Sequence, residues 1–237
     1  MRLNKILYIS VCVGMMLSFI ILMISSVTYI TVNTTSENIK NLHTVVVDAG
    51  HGGEDGGAVT DDGVLEKDIN LAISNNTADL LDFFGYDVVK TRNDDSDLST
   101  SGDTIRSRKI SDMKKRLEIF NSLDNNVVIS IHQNKFTQKE YNGSQIFYSS
   151  NHKDSALLAE NIKLSIKSLL QPDNKRECKK ADNGIYLLKN AKNPSIIVEC
   201  GFISNNEECT KLLDETYQKQ MAFSIVAGFL NYENSNL

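Results

Sequence analysis

Two histidines and three glutamates stand where this chain would do chemistry. His51 follows the β-branched run Val45-Val46-Val47 across Asp48-Ala49-Gly50, and His132 ends the run Val127–Ile131. Glu199 ends Ser195-Ile196-Ile197-Val198, and Glu66 opens an amphipathic stretch. Glu54 lies three residues after His51, in an H-x-x-E pattern. A hydrolytic zinc site takes about three protein ligands and keeps one position open. Imidazole supplies a neutral nitrogen, and a carboxylate reduces the charge of the metal. His51 and His132 are the candidate imidazole ligands; His43 opens a strand and His152 lies in a polar turn. Glu54 and Glu66 compete to be the third ligand on these grounds alone. At a helix start Glu66 would be held rigidly, although a carboxylate there also complements the helix dipole. Glu199, at the end of a strand that should be buried, needs a partner or its pKa climbs. Beside a metal it would take a proton from water and pass it to a leaving amine. The glycines around His51 do not make a phosphate loop, because neither G-x-G-x-x-G nor a following Gly-Lys-Ser/Thr is present.

The elements that must position these residues alternate. Strands are predicted at Val45–Asp48, Tyr86–Thr91, Val127–His132, Ser144–Ser150, Ile185–Leu188 and Ser195–Glu199. Helices are predicted at Glu66–Phe84, with Gly85 in the stop position, and at Ser107–Leu123, Asp154–Leu170, Glu207–Leu213 and Thr216–Tyr232. Arg92–Ile105, rich in Asp, Ser and Thr, reads as an exposed loop. This order predicts a single α/β domain with a mostly parallel twisted sheet flanked by helices on both faces. Sites in such sheets form at the carboxyl ends of the strands.

Composition narrows the partners. The 237 residues carry a net charge of −5, with 41% hydrophobic and 23% charged residues. That is a globular balance, and with no basic cluster interleaved with aromatics it argues against nucleic acid. Arg2 and Lys5 precede an apolar run from Ile6 to Ile24. This reads as an export signal or a membrane anchor, the run being close to the ~20 residues a spanning helix needs. Residues 1–32 are assigned to that segment, 33–42 to a polar linker and 43–237 to the catalytic domain. The N-terminal segment is expected to contact the membrane, and the body to be exported, with cleavage left open. No C-x-x-C spacing supports a cysteine zinc site. Free buried thiols are the favoured reading of Cys178, Cys200 and Cys209, with one disulfide, Cys200 to Cys209 or to Cys178, left open.

In order, Asp48-Ala49-Gly50-His51-Gly52-Gly53-x-Asp55-x-Gly57-Ala58, then Glu66, Ser130-Ile131-His132-x-Asn134 and Val198-Glu199-x-Gly201-Phe202-x-Ser204-Asn205 resemble the zinc-dependent N-acetylmuramoyl-L-alanine amidases of the amidase_3 type. The resemblance extends over His43–Tyr232 and includes Thr91-Arg92, Arg116 and Gly184–Leu188. It implies Zn2+ held by His51, Glu66 and His132, with Glu199 catalytic. The implied substrate is peptidoglycan, cut between the lactyl group of muramic acid and L-alanine. The short single-domain form most resembles the spore-cortex members, whose cleavage prepares muramic δ-lactam. The implied location is the cell wall or the forespore intermembrane space. Several such amidases need an activator protein, which becomes an expected partner here. Gln133 and Cys200 stand where the family often has a small residue, and Arg92–Lys115 is longer than a minimal member needs. Two other readings stay open: a carboxypeptidase-like zinc enzyme using His51, Glu54 and His132, and a catalytically silent peptidoglycan-binding module.

Overall fold

The computed structural model describes residues 43–235. The expected export segment and linker lie outside them. Among the described residues, no helix is long and apolar enough to cross a membrane.

The sheet has six strands: β1 (Thr44–Ala49), β2 (Val88–Lys90), β3 (Asn126–Asn134), β4 (Gln145–Tyr148), β5 (Lys179–Lys180) and β6 (Ser195–Phe202), in the order β2-β1-β3-β6-β4-β5. β2, β1, β3 and β6 run parallel; β4 pairs antiparallel with β6 and parallel with β5. The helices are α1 (Glu66–Phe83), α2 (Ile105–Phe120), α3 (Ser155–Leu169), α4 (Tyr186–Asn190), α5 (Asn206–Leu213) and α6 (Glu215–Ser235). The mostly parallel α/β sheet expected from the sequence is therefore present.

Alternation along the strands divides the core between two faces. Val45, Val47, Ile129 and Ile131 pack with Ile69 and Ile73 of α1, Ile162 of α3 and Ile225 and Phe229 of α6. Val46 and Val128 face the other way, onto Phe120 of α2 and Leu187 of α4. With both faces covered, β1, β3 and β6 read as almost continuous apolar runs.

Ile185–Leu188 is not a strand, because Tyr186–Asn190 forms the short helix α4. An apolar run of four has no decisive period. Here Leu187 and Leu188 are buried while Tyr186 and Lys189 remain outside. β5, the two-residue edge strand, carries only exposed lysines and no apolar pattern to predict it. The remaining elements lie within a few residues of expectation. α1 ends before Gly85, whose φ of 87° is costly for a residue with a Cβ. α2 begins two residues early, at a capping box formed by Thr104 and Ser107.

Candidate metal and catalytic site

Three parallel neighbours place the candidate residues at one end of the sheet. Asp48 of β1 lies opposite Ser130 of β3, and His132 of β3 lies opposite Glu199 of β6. The register between β3 and β6 then shifts, so that Asn134 pairs with Phe202. Such bulges re-aim strand-end side chains. α1 starts at the same end, so Glu66 in its first turn points back over the strand termini.

The ligand atoms of His51, Glu66 and His132 all lie within 4.8 Å of one another. Glu66 Oε1 is 3.0 Å from His132 Nδ1 and 3.3 Å from His51 Nε2, and the two imidazoles meet edge to face at 5.0 Å. One carboxylate oxygen thus faces nitrogens of both rings, an arrangement that could hold a cation. Glu66 is 4% exposed and is fixed on every side. Its Oε2 accepts from the Ala58 amide at 2.8 Å, and its Oε1 from the Gln133 amide at 3.1 Å and Asn70 Nδ2 at 3.2 Å. Burial alone would raise its pKa, but the His132 and His51 contacts hold the carboxyl far below the usual range. His51 Nδ1 lies 2.9 Å from Asp55 Oδ2, which leaves Nε2 turned toward Glu66. Fixing one ring nitrogen on a carboxylate to present the other is the usual support of a histidine ligand. Burial pulls the His51 pKa down, yet the hydrogen bonds to Asp55 and Glu66 lift it to about 9.

Glu199 differs from Glu66 in environment. Its Oε2 is buried and has no hydrogen-bond partner. Burial, with the Glu66 charge adding and His132 opposing, pushes its pKa up to about 7. A cluster that presents two imidazoles and one carboxylate to a common point, with an unpartnered buried carboxylate coupled to all three, fits a divalent metal bound as in hydrolases.

Two glycines make the convergence possible. A Cβ on Gly50 would lie 2.3 Å from the His132 ring, and one on Gly57 would lie 2.6 Å from Glu66 Oε2. His51 itself has φ 62°, the only positive φ of a non-glycine among the described residues. Strain of this kind persists only where surrounding contacts overdetermine it.

The comparisons agree with this geometry. Residues 45–231 match the Amidase_3 family, described as N-acetylmuramoyl-L-alanine amidase. The chain belongs to this family. The germination-specific N-acetylmuramoyl-L-alanine amidase of Bacillus subtilis is 35% identical over 189 residues, covering 79% of this chain and 78% of that protein. The CwlD amidase of Clostridioides difficile, solved in complex with the GerS lipoprotein, superposes with a TM-score of 0.78 at 41% identity, covering 81% of this chain and 99% of that one. A further amidase structure, from Clostridium difficile 630, has a TM-score of 0.72 at 30% identity over 83% of this chain and 99% of its own. The enzyme class expected from the sequence, an N-acetylmuramoyl-L-alanine amidase, is borne out.

Within this amidase, Glu54 stands apart from the His51–Glu66–His132 group. It is exposed and ion-paired with Arg108. His43 instead bonds Glu233 near the C-terminus of α6, and His152 lies at 3.7 Å from Asp154. Cys178, Cys200 and Cys209 are free thiols, of which only Cys200 is fully buried.

Other supporting residues were given no role from the sequence, although Asp48, Thr91, Arg116 and Ser130 belong to the motifs of the resemblance. Asp48 is fully buried in β1 and accepts from Arg116 Nη1 and Ser130 Oγ, both at 2.5 Å, and from Thr91 Oγ1 at 2.8 Å. The same guanidinium donates to the carbonyls of Ala49 at 2.8 Å and His51 at 2.6 Å. Asn70, one turn after Glu66, also donates to the Gly50 carbonyl at 3.1 Å. The available signal was polar residues at positions the helical and strand periods assign to the interior.

Proposed function

We propose that this amidase uses Zn2+ held by His51, Glu66 and His132, with Glu199 as general base and acid. The bond it cuts is then the amide between the lactyl group of N-acetylmuramic acid and L-alanine of the peptidoglycan stem peptide. One observation carries the reading: three donor atoms of the right chemistry converge within 4.8 Å, beside a buried carboxylate oxygen that has no partner. Zinc there would polarise the scissile carbonyl and make water acidic enough to attack. The work of the chain's own residues follows from their surroundings. Asp55 fixes the His51 ring, and Glu66 is fixed by backbone amides and Asn70. Glu199, poised near neutral pKa by burial, accepts the proton of the attacking water on Oε2 and delivers it to the departing amine nitrogen. A pKa near the working pH is what such two-way transfer requires.

The likeness to the germination-specific amidase of B. subtilis and to C. difficile CwlD supports a role in maturation of the spore cortex. Because that CwlD was solved with a lipoprotein, we also propose an activator protein as partner. Residues 1–32 act as export signal or anchor and 33–42 as linker, placing the catalytic domain, 43–237, outside the cytoplasmic membrane.

The full chain, supplied with zinc and purified peptidoglycan, tests the site assignment. Mass spectrometry of the products should find glycan strands with free lactyl carboxylates and peptides beginning at L-alanine. Glu54→Ala should release both as wild type does, whereas Glu66→Ala should release neither and bind no zinc. The reverse pattern would favour the carboxypeptidase-like ligand set.

A further inference from the structure

Arg92 is 4% exposed, and among the described residues no carboxylate forms an ion pair with it. Asp48, Asp95 and Asp68 offset its charge from a distance, but with no carboxylate in contact its buried donors must find other acceptors. They find backbone carbonyls. Nε donates to Ala49 at 2.9 Å, and Nη2 to both Gly50 at 3.1 Å and Lys67 at 2.8 Å, while Nη1 reaches Asp94 at 2.8 Å. Ala49 and Gly50 immediately precede His51; Lys67 immediately follows Glu66.

We propose that Arg92 is a positioning residue for the metal centre, its single guanidinium tying the backbone before His51 to the backbone after Glu66 and so setting the separation of those two ligands. The proposal rests on the ligand assignment above. Three features make Arg92 suited to this. The fork is planar, so contacts made by Nε and Nη2 hold their acceptors in a fixed relation. The two segments are also tied by the Gly56 and Ala58 bonds to the start of α1, by Asn70 Nδ2 to the Gly50 carbonyl, by Lys67 Nζ to the Gly53 carbonyl and by Ser74 Oγ to the Asp48 carbonyl, but among these contacts Arg92 alone bonds Ala49, Gly50 and Lys67 with one rigid group. His51 stands at a positive φ, so its loop relaxes if the carbonyls before it are released. Lysine cannot substitute, because a single ammonium has no fixed fork to span three carbonyls.

The test uses the full chain in detergent and measures zinc affinity by competition with a chromogenic chelator. Co2+ absorption serves as the report of ligand geometry. Arg92→Lys, Arg92→Gln and, as a control for mere destabilisation, Ile73→Val in the α1 core are compared with wild type. Each variant is first shown to be folded, and its unfolding midpoint without metal is recorded. Arg92→Gln retains a neutral donor pair and serves if the lysine variant does not fold. Outer supports of metal ligands are typically worth about 10–100-fold in affinity. Both Arg92 variants should therefore bind zinc at least about tenfold more weakly and show an altered Co2+ band, with Ile73→Val close to wild type in both. Wild-type affinity and an unchanged Co2+ band in the folded Arg92 variants would overturn the proposal. So would an affinity loss no greater than that of an equally destabilised Ile73→Val. If wild type itself binds no zinc, the ligand assignment fails and this proposal falls with it.

Discussion

Glu66 and Glu199 are the same side chain at the same end of one sheet, and their surroundings separate their roles. Glu66 is saturated with donors: two backbone amides, Asn70 and the two imidazoles. Such a carboxylate stays ionised, as a ligand must. Glu199 has an oxygen without a donor, and burial raises its pKa to about 7, as proton exchange needs. Glu199→Gln keeps the shape and removes the exchange. Zinc content should stay near one per chain, while the turnover number falls by about 10²–10⁴-fold, read from release of L-alanine-terminated peptide. A variant that lost zinc in parallel would move Glu199 into the ligand set. The resemblance implied binding for Glu66 and proton exchange for Glu199, the assignment proposed above, but the residues alone left Glu54 and Glu66 equal, since spacing does not say where a glycine-rich loop takes its side chains.

At the scale of elements, β1 and α2 are joined by a buried ionic link that no periodicity announces. Asp48 lies on the face of β1 covered by α2, and Arg116 reaches it from that helix while also bonding Asp112 at 2.7 Å. Burial raises the Asp48 pKa, but the Arg116 charge and the Ser130 and Thr91 hydroxyls overcome this and hold it below the ordinary 3.8. The sign follows directly. A carboxyl with a depressed folded pKa contributes its full stability above about 3.8 and loses it as the pH falls from there through the lower folded value. Asp48→Asn should thus cost up to about 3 kcal/mol at neutral pH, Arg116 retaining Asp112. The gap to wild type should close as the pH drops below 3.8. Urea titrations of the metal-free proteins across that range would measure it, and a gap independent of pH would show that the charge of Asp48 is not what links the two elements. The same scale explains the one misassigned element. Leu187 and Leu188 satisfy a strand or a helix equally by pattern, and packing against the α2 face chose helix.

For the whole molecule, the parallel order β1-β3-β6 gathers the site at one end of the sheet, as the doubly covered architecture demands. Peptidoglycan lies outside the cytoplasmic membrane, so the proposed function requires the export proposed for residues 1–32. Residues 1–42 fused to alkaline phosphatase should give an enzyme active outside the membrane of a bacterial host. The same fusion with Arg2 and Lys5 replaced by glutamate should lose most of that activity, since the flanking positive charges orient the segment. A fusion inactive in both forms would remove the export reading.

Apart from α4 and β5, the order of strands and helices, the buried faces and the presence of two imidazoles and two glutamates near element ends are determined by sequence alone, because period, glycine placement and strand-end position are local properties. Tertiary structure decided the rest. It joined three residues 15 and 66 positions apart around one carboxylate oxygen, sent Glu54 to an exposed pair with Arg108, and buried Arg92 and Arg116 against loop carbonyls. Those outcomes depend on which carbonyls and charges are left without water once the sheet closes, and only the assembled fold decides that.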